Sequence, residues 1–170
     1  LFMSIFLVGM PGSGKTTTGL AISKELHLPF IDTDQWIEVK TAMKISQIFE
    51  SKGEAYFREE EHNFLKTWTG KNWIISTGGG MPCFNQNLEL MKNNGKIIYL
   101  RRPLSVIIES LNNDAMSKRP LLLGKNSESL ETLCLQLLLE REPFYLKSDL
   151  IIEPDVALIE IAGLIRRKIY

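Results

Sequence analysis

The chemistry is concentrated in a few short stretches of the chain. Gly9-Met10-Pro11-Gly12-Ser13-Gly14-Lys15-Thr16 matches GxxxxGK[ST] in full. In this pattern the glycines let successive backbone N–H groups wrap around one anion, and the following helix N-terminus adds positive potential. Lys15 reaches β- and γ-phosphates and the Thr16 hydroxyl is a ligand for Mg²⁺. Gly12, Ser13, Gly14, Lys15, Thr16 and Thr17 are therefore the candidate nucleotide-binding residues. Asp32-Thr33-Asp34 offers two carboxylates one residue apart. Asp32 suits a metal ion, held directly or through water, and Asp34 suits a general base that takes a hydroxyl proton. An aspartate here is equally at home as a helix N-cap, and on this feature alone the two readings stand level.

Three further stretches add to the pattern. Arg58 and Glu61 lie at i,i+3 on one helical face, the arrangement in which a carboxylate orients a guanidinium for bidentate anion binding. Gly78-Gly79-Gly80 is costly in backbone entropy unless the backbone must approach a ligand or adopt φ > 0. Lys118-Arg119-Pro120-Leu121-Leu122-Leu123-Gly124 reads as a lid that carries an arginine. Each alone has a plain structural explanation: a surface ion pair, a tight turn, an ordinary loop.

These residues need a frame. Ser4–Val8, Leu28–Ile31, Asn72–Ser76, Lys96–Leu100 and Asp149–Ile152 are short apolar runs without period-two alternation, as in a parallel sheet covered on both faces. Between them lie helical patterns at Lys15–Leu26, on either side of Gly53 (Ile45–Phe49 and Glu54–Trp68) and at Pro103–Leu111. Another follows the stripe Leu130, Leu133, Cys134, Leu137 and Leu138, and the last starts near Pro154. This alternation predicts an α/β fold with right-handed crossovers and places Asp32 and Asp34 at a strand's C-terminal end, where open sheets bind ligands.

At 170 residues one domain is expected, 1–170. A hydrophobic share of 44% with 20 basic and 20 acidic residues excludes a disordered chain and argues against a nucleic-acid partner. Leu1–Val8 is too short to cross a bilayer and has no basic region before it, so no membrane segment and a cytoplasmic location are expected. Cys83, Cys134, His27 and His62 form no metal-ligand spacing. His27, His62, Trp36, Trp68 and Trp73 are expected to serve packing or surface, and the Arg58–His62 run to be a solvated face apart from Arg58 and Glu61. No DxxG or NKxD segment occurs, which removes the guanine-nucleotide switches, and the chain is short for a mechanical ATPase. A small kinase remains, or a phosphate-loop fold kept for binding only.

Taken in order, the phosphate loop, Asp32-Thr33-Asp34, Phe57-Arg58 with Glu61, Gly78-Gly79-Gly80, Arg119-Pro120-Leu121-Leu122 and Arg141-x-Pro143-x-Tyr145 resemble the shikimate kinase family, from Gly9 to about Tyr145. The resemblance implies a three-layer α/β fold of the nucleoside-monophosphate-kinase type with a five-stranded parallel sheet. It implies a substrate-binding subdomain at about 33–61 and a lid at about 112–126. It further implies an ATP- and Mg²⁺-dependent phosphorylation of the shikimate 3-hydroxyl, on the route to chorismate and aromatic amino acids, by a monomer. Asp34 would bind ring hydroxyls and act as base, with Lys15 and Arg119 as the other catalytic residues. Arg58 and Arg141 would clamp the carboxylate, Gly78, Gly79 and Gly80 would present backbone amides, and Phe49 and Phe57 would pack on the ring. Thr16 and Asp32 would hold the metal, and Arg119 would close over the ATP phosphates. Two departures stand out: Glu153-Pro154-Asp155 occupies a region where many members place a basic residue near the adenine, and Phe144 replaces a common leucine. Gluconate and nucleoside-monophosphate kinases are the enzymatic rivals, and a silent binding module is the other. Such a module should have lost Lys15, Asp34 or Arg58, and all three are present.

Overall fold

The computed structural model describes residues 3–113 and 127–169. Arg119 and residues 114–126 of the expected lid lie outside the described residues. Five strands, β1 (Ser4–Val8), β2 (Phe30–Asp32), β3 (Ile74–Ser76), β4 (Gly95–Leu100) and β5 (Leu150–Ile152), form one parallel sheet in the order β2-β3-β1-β4-β5. The helices among the described residues are α1 (Lys15–Leu26), α2 (Thr33–Thr41), α3 (Ile45–Thr67), α4 (Asn87–Asn94), α5 (Leu104–Asn113), α6 (Ser127–Tyr145) and α7 (Leu158–Lys168). None of them is long and apolar enough to cross a membrane.

β1 is buried along its whole length, and its side chains alternate between two cores. Phe6 and Val8 pack with Phe64 of α3, Met91 of α4, Ile107 of α5 and Cys134 of α6. Ile5 and Leu7 pack on the other face with Ile22 of α1 and Ile161 and Ile165 of α7. That is why the strands read as unbroken apolar runs: each fully buried Ile or Leu contributes roughly 1.5–3 kcal/mol, and both faces demand one. A third, smaller core of Ile37, Ile48 and Phe57 ties α2 to α3 apart from the sheet. The two helical stretches expected around Gly53 are there, joined across a kink at that residue (φ 82°, ψ 169°).

Several boundaries move for local reasons. Leu28 is not in β2, because its N–H and C=O close the end of α1 through Ser23, so the strand begins at Phe30 and ends on Asp32 itself. Asn72 is left-handed (φ 63°), which delays β3 to Ile74. Asp149 turns its carboxylate onto Lys96 and the Ile97 N–H instead of joining β5. Pro154 lies in a turn, and α7 starts at Leu158. α4 was not among the expected helices, and α2 was foreshadowed only by the N-cap reading of the aspartates. The N-cap in dispute belongs to Asp32, whose Oδ1 accepts from the N–H groups of Asp34 and Gln35, so Asp34 sits in the first turn of α2.

Candidate active site

The C-terminal ends of β1, β2 and β3 converge, and each releases part of the site. After β1 the loop turns with left-handed glycines at Gly12 (φ 79°) and Gly14 (φ 82°), the latter capping α1. An L side chain at either position would be strained, and this turn aims the first N–H groups of α1 into the loop. Lys15 is buried at the centre and donates from Nζ to the carbonyls of Gly9 (2.9 Å) and Met10 (2.8 Å). Beside it, Thr16 Oγ1 donates to Asp32 Oδ2 at 2.8 Å and lies 3.4 Å from Ser76 Oγ. These three oxygens, with no sulfur or nitrogen among them, fit a hard divalent cation that completes its shell with water and phosphate oxygens.

β3 delivers Gly78-Gly79-Gly80, and here space is the requirement, not backbone freedom, because none of the three has positive φ. A Cβ on Gly78 would stand 2.7 Å from both Asp34 Oδ1 and Glu61 Oε1. On Gly79 it would stand 2.8 Å from Pro11 Cδ and 3.3 Å from Arg141 Nη1. On Gly80 it would meet the Arg58 guanidinium at 2.7–2.8 Å. The triple glycine is thus the floor on which Asp34, Arg58, Glu61 and Arg141 meet, and Pro11 brings the phosphate loop against the same floor. Two further bonds hold it: Gly78 N–H donates to Thr33 Oγ1 at 3.1 Å, and Tyr145 OH donates to the Gly79 carbonyl at 2.5 Å. Arg141 and Tyr145 lie one turn apart near the C-terminal end of α6, which fixes both against the glycines.

The charges are tightly coupled. Arg58 donates from Nη1 to Glu61 Oε2 (2.7 Å) and from Nε and Nη2 to Glu54 Oε1 (3.0 and 2.8 Å). Burial alone would lower its pKa, and the Glu61 and Glu54 carboxylates more than offset that, so the guanidinium stays charged. Glu61 is fully buried, and its Oε1 has no hydrogen-bond partner among the described residues. Burial pushes this carboxyl up to about 7 despite Arg58, and Asp34 adds to the rise. Burial likewise pushes the Cys83 thiol up to about 11, which leaves it unreactive at neutral pH.

Most of the residues singled out from the sequence therefore come together: Lys15, Thr16 and Asp32 in one group, Asp34, Arg58, Gly78, Gly79, Gly80 and Arg141 in the other. The Arg58–His62 run is less solvated than its composition suggests, since Glu60 is buried too and pairs with Lys40 at 2.6 Å. Trp36 and Trp68 pack on Phe64, Trp73 packs edge-on against Trp68, and Cys134 is core, as expected. Glu54 and Ser76 were missed. Glu54 was within reach, because it stands four residues before Arg58 on the same helical face. Nothing local marks Ser76, which reaches Thr16 only through the pairing of β1, β3 and β2.

The family model for shikimate kinase matches residues 11–167. The shikimate kinase of Bacteroides thetaiotaomicron is 41% identical over 152 residues, covering 89% of this chain and 86% of that one. That of Persephonella marina is 38% identical over 169 residues, covering 96% and 99%. Among solved structures, the shikimate kinase of Acinetobacter baumannii in complex with shikimate matches with a TM-score of 0.89 at 33% identity, covering 99% of this chain and 93% of that one. The match starts inside the phosphate loop, just after β1, and runs into the last helix through β2 to β5 and the helices that line this cleft, and on that ground the chain belongs to the shikimate kinase family.

Proposed function

We propose that this protein transfers the γ-phosphoryl group of ATP to the 3-hydroxyl of shikimate, giving shikimate 3-phosphate and ADP. Family membership makes it an ATP-using kinase of a small-molecule acceptor. The observation that carries the acceptor assignment is the meeting of two guanidiniums and an aspartate on a floor without side chains, directly beside the phosphate loop. A small anion with several hydroxyls matches that set.

In this reading Arg58 and Arg141 clamp the carboxylate, and the amides of Gly78, Gly79 and Gly80 line the acceptor. Phe49 and Phe57, with ring centroids 5.1 Å apart, flank its ring. Gly12, Ser13, Gly14, Lys15, Thr16 and Thr17 cradle the phosphates. Asp34 orients the acceptor hydroxyl and takes its proton as the oxygen attacks the γ-phosphorus and ADP leaves. Thr16 and Asp32 would hold Mg²⁺, which when bound neutralises charge on the phosphate oxygens. Arg119, from a lid at about 112–126, would add a guanidinium to the transferring group and exclude water. The small core of Ile37, Ile48 and Phe57 supports treating about 33–61 as a substrate-binding subdomain within one kinase domain, 1–170. The absence of net charge supports a protein that works on two small molecules without nucleic acid, and the reading is completed by a cytoplasmic monomer.

Asp34→Asn tests the mechanism. It should leave ATP affinity within about twofold and cut turnover by ~10²–10⁴. Turnover near that of the unaltered chain would remove Asp34 as the base.

A further inference from the structure

The turn behind the triple glycine presents an aromatic ring to solvent above a buried charge. Phe84 is 38% exposed, and its ring centroid lies 4.3 Å from Cζ of Arg58. The two residues after it, Asn85 (φ 51°) and Gln86 (φ 57°), are both left-handed, a conformation that comes easily to asparagine but that glutamine keeps only under constraint. The constraint is visible. Asn85 Nδ2 donates to the Arg58 carbonyl (3.3 Å), Asn87 Nδ2 donates to the Met81 carbonyl (2.9 Å), and His62 Nδ1 lies 2.8 Å from Asn87 Oδ1. The turn is thereby fastened to the stretch of α3 that carries Arg58.

The guanidinium has five N–H donors, and three are engaged by Glu54 and Glu61. One N–H is left on each terminal nitrogen, free of Glu54 and Glu61 and able to donate to a carboxylate. Glu54 and Glu61 set the rotation of the plane, and Gly80 lets the backbone come up to it. Arg58 Cζ lies over the Phe84 ring, where the π-cloud is attracted to the cation and water is displaced.

We propose that Phe84 is a positioning residue for Arg58, its ring lying against the guanidinium so that the remaining N–H groups are held ready and shielded for the carboxylate of the acceptor. The inference rests on the reading of Arg58 as the carboxylate clamp and adds a residue outside the motifs that define the site.

Steady-state kinetics of Phe84→Ala, Phe84→Leu and Phe84→Trp test it, alongside calorimetric binding of shikimate and of its uncharged carboxamide. Phe84→Ala should raise KM for shikimate about three- to tenfold while kcat and KM for ATP stay within about twofold. Phe84→Trp should restore KM and Phe84→Leu should not, because a π-face and not bulk is required. The preference for carboxylate over carboxamide should narrow in Phe84→Ala, which a general loosening of the fold would not do selectively. An unchanged KM for shikimate, an equal rise in both KM values, or full rescue by leucine would overturn the proposal. Shikimate turnover by the unaltered chain is measured first and tests the functional reading separately. Should another acceptor be found, the comparison is repeated with it, and an uncharged acceptor, or an anionic one indifferent to Phe84, overturns the proposal as well.

Discussion

Glu61→Gln isolates the most unusual electrostatic feature of the site. Burial raises the Glu61 carboxyl from 4.5 to about 7, so between those values the folded chain holds a proton that the unfolded chain has released. Its contribution to stability is complete below about pH 4.5 and is lost as pH rises through about 7. Each tenfold change in a protonation equilibrium is about 1.4 kcal/mol, so the whole loss is about 3 kcal/mol, most of it between about pH 5 and pH 8. Glutamine keeps an acceptor for Arg58 Nη1 and cannot ionise. Urea unfolding of both proteins across that range should therefore show the unaltered chain losing stability relative to Glu61→Gln by about 2–3 kcal/mol as pH rises, read from the midpoint at constant slope. A difference that is flat, or that grows in favour of the unaltered chain, would mean that the Arg58 ion pair outweighs burial and that Glu61 is ionised throughout.

Other perturbations separate the parts of the site. Arg141→Ala should weaken shikimate binding by ~10–100-fold, the worth of a charge-assisted hydrogen bond, with ATP affinity unchanged by calorimetry; equal loss of both ligands would indicate a folding defect instead. Gly80→Ala should push the Arg58 guanidinium off its seat, since the new methyl would stand 2.7 Å from Nη1, and raise KM for shikimate at least tenfold with little change in KM for ATP; unchanged kinetics would mean that the clamp is not built on that glycine. Tyr145→Phe removes the bond to the Gly79 carbonyl and should cost about 1–2 kcal/mol in urea unfolding together with a rise in KM for shikimate; stability and KM equal to those of the unaltered chain would show that the hydroxyl does not hold the floor.

The sequence made the chemistry more legible than the architecture around it. The phosphate loop, the Asp32/Asp34 pair and the Arg58/Glu61 spacing were readable because each is a local pattern whose residues sit within one turn or loop. The five strands were readable because burial on both faces forces continuous apolar runs. What escaped depends on distant parts of the chain. Asp32 caps α2 and also accepts from Thr16, so one carboxylate serves as helix cap and loop partner, and a pattern search assigns it only one role. The triple glycine suggested either close approach or unusual backbone angles, and only the three-dimensional packing of Asp34, Arg141 and Arg58 decides for the former. α2 was hidden because its first turn is occupied by the motif residues themselves, and α4 because its eight residues bury one narrow side.

ADP release from Mg-ATP, measured with no acceptor and then with shikimate, gluconate or a nucleoside monophosphate, tests the central claim most directly. The arrangement of Asp34, Arg58, Arg141 and the three glycines predicts release stimulated by shikimate alone. Stimulation by gluconate or a nucleoside monophosphate in its place, or no stimulation in protein that binds ATP, would contradict it.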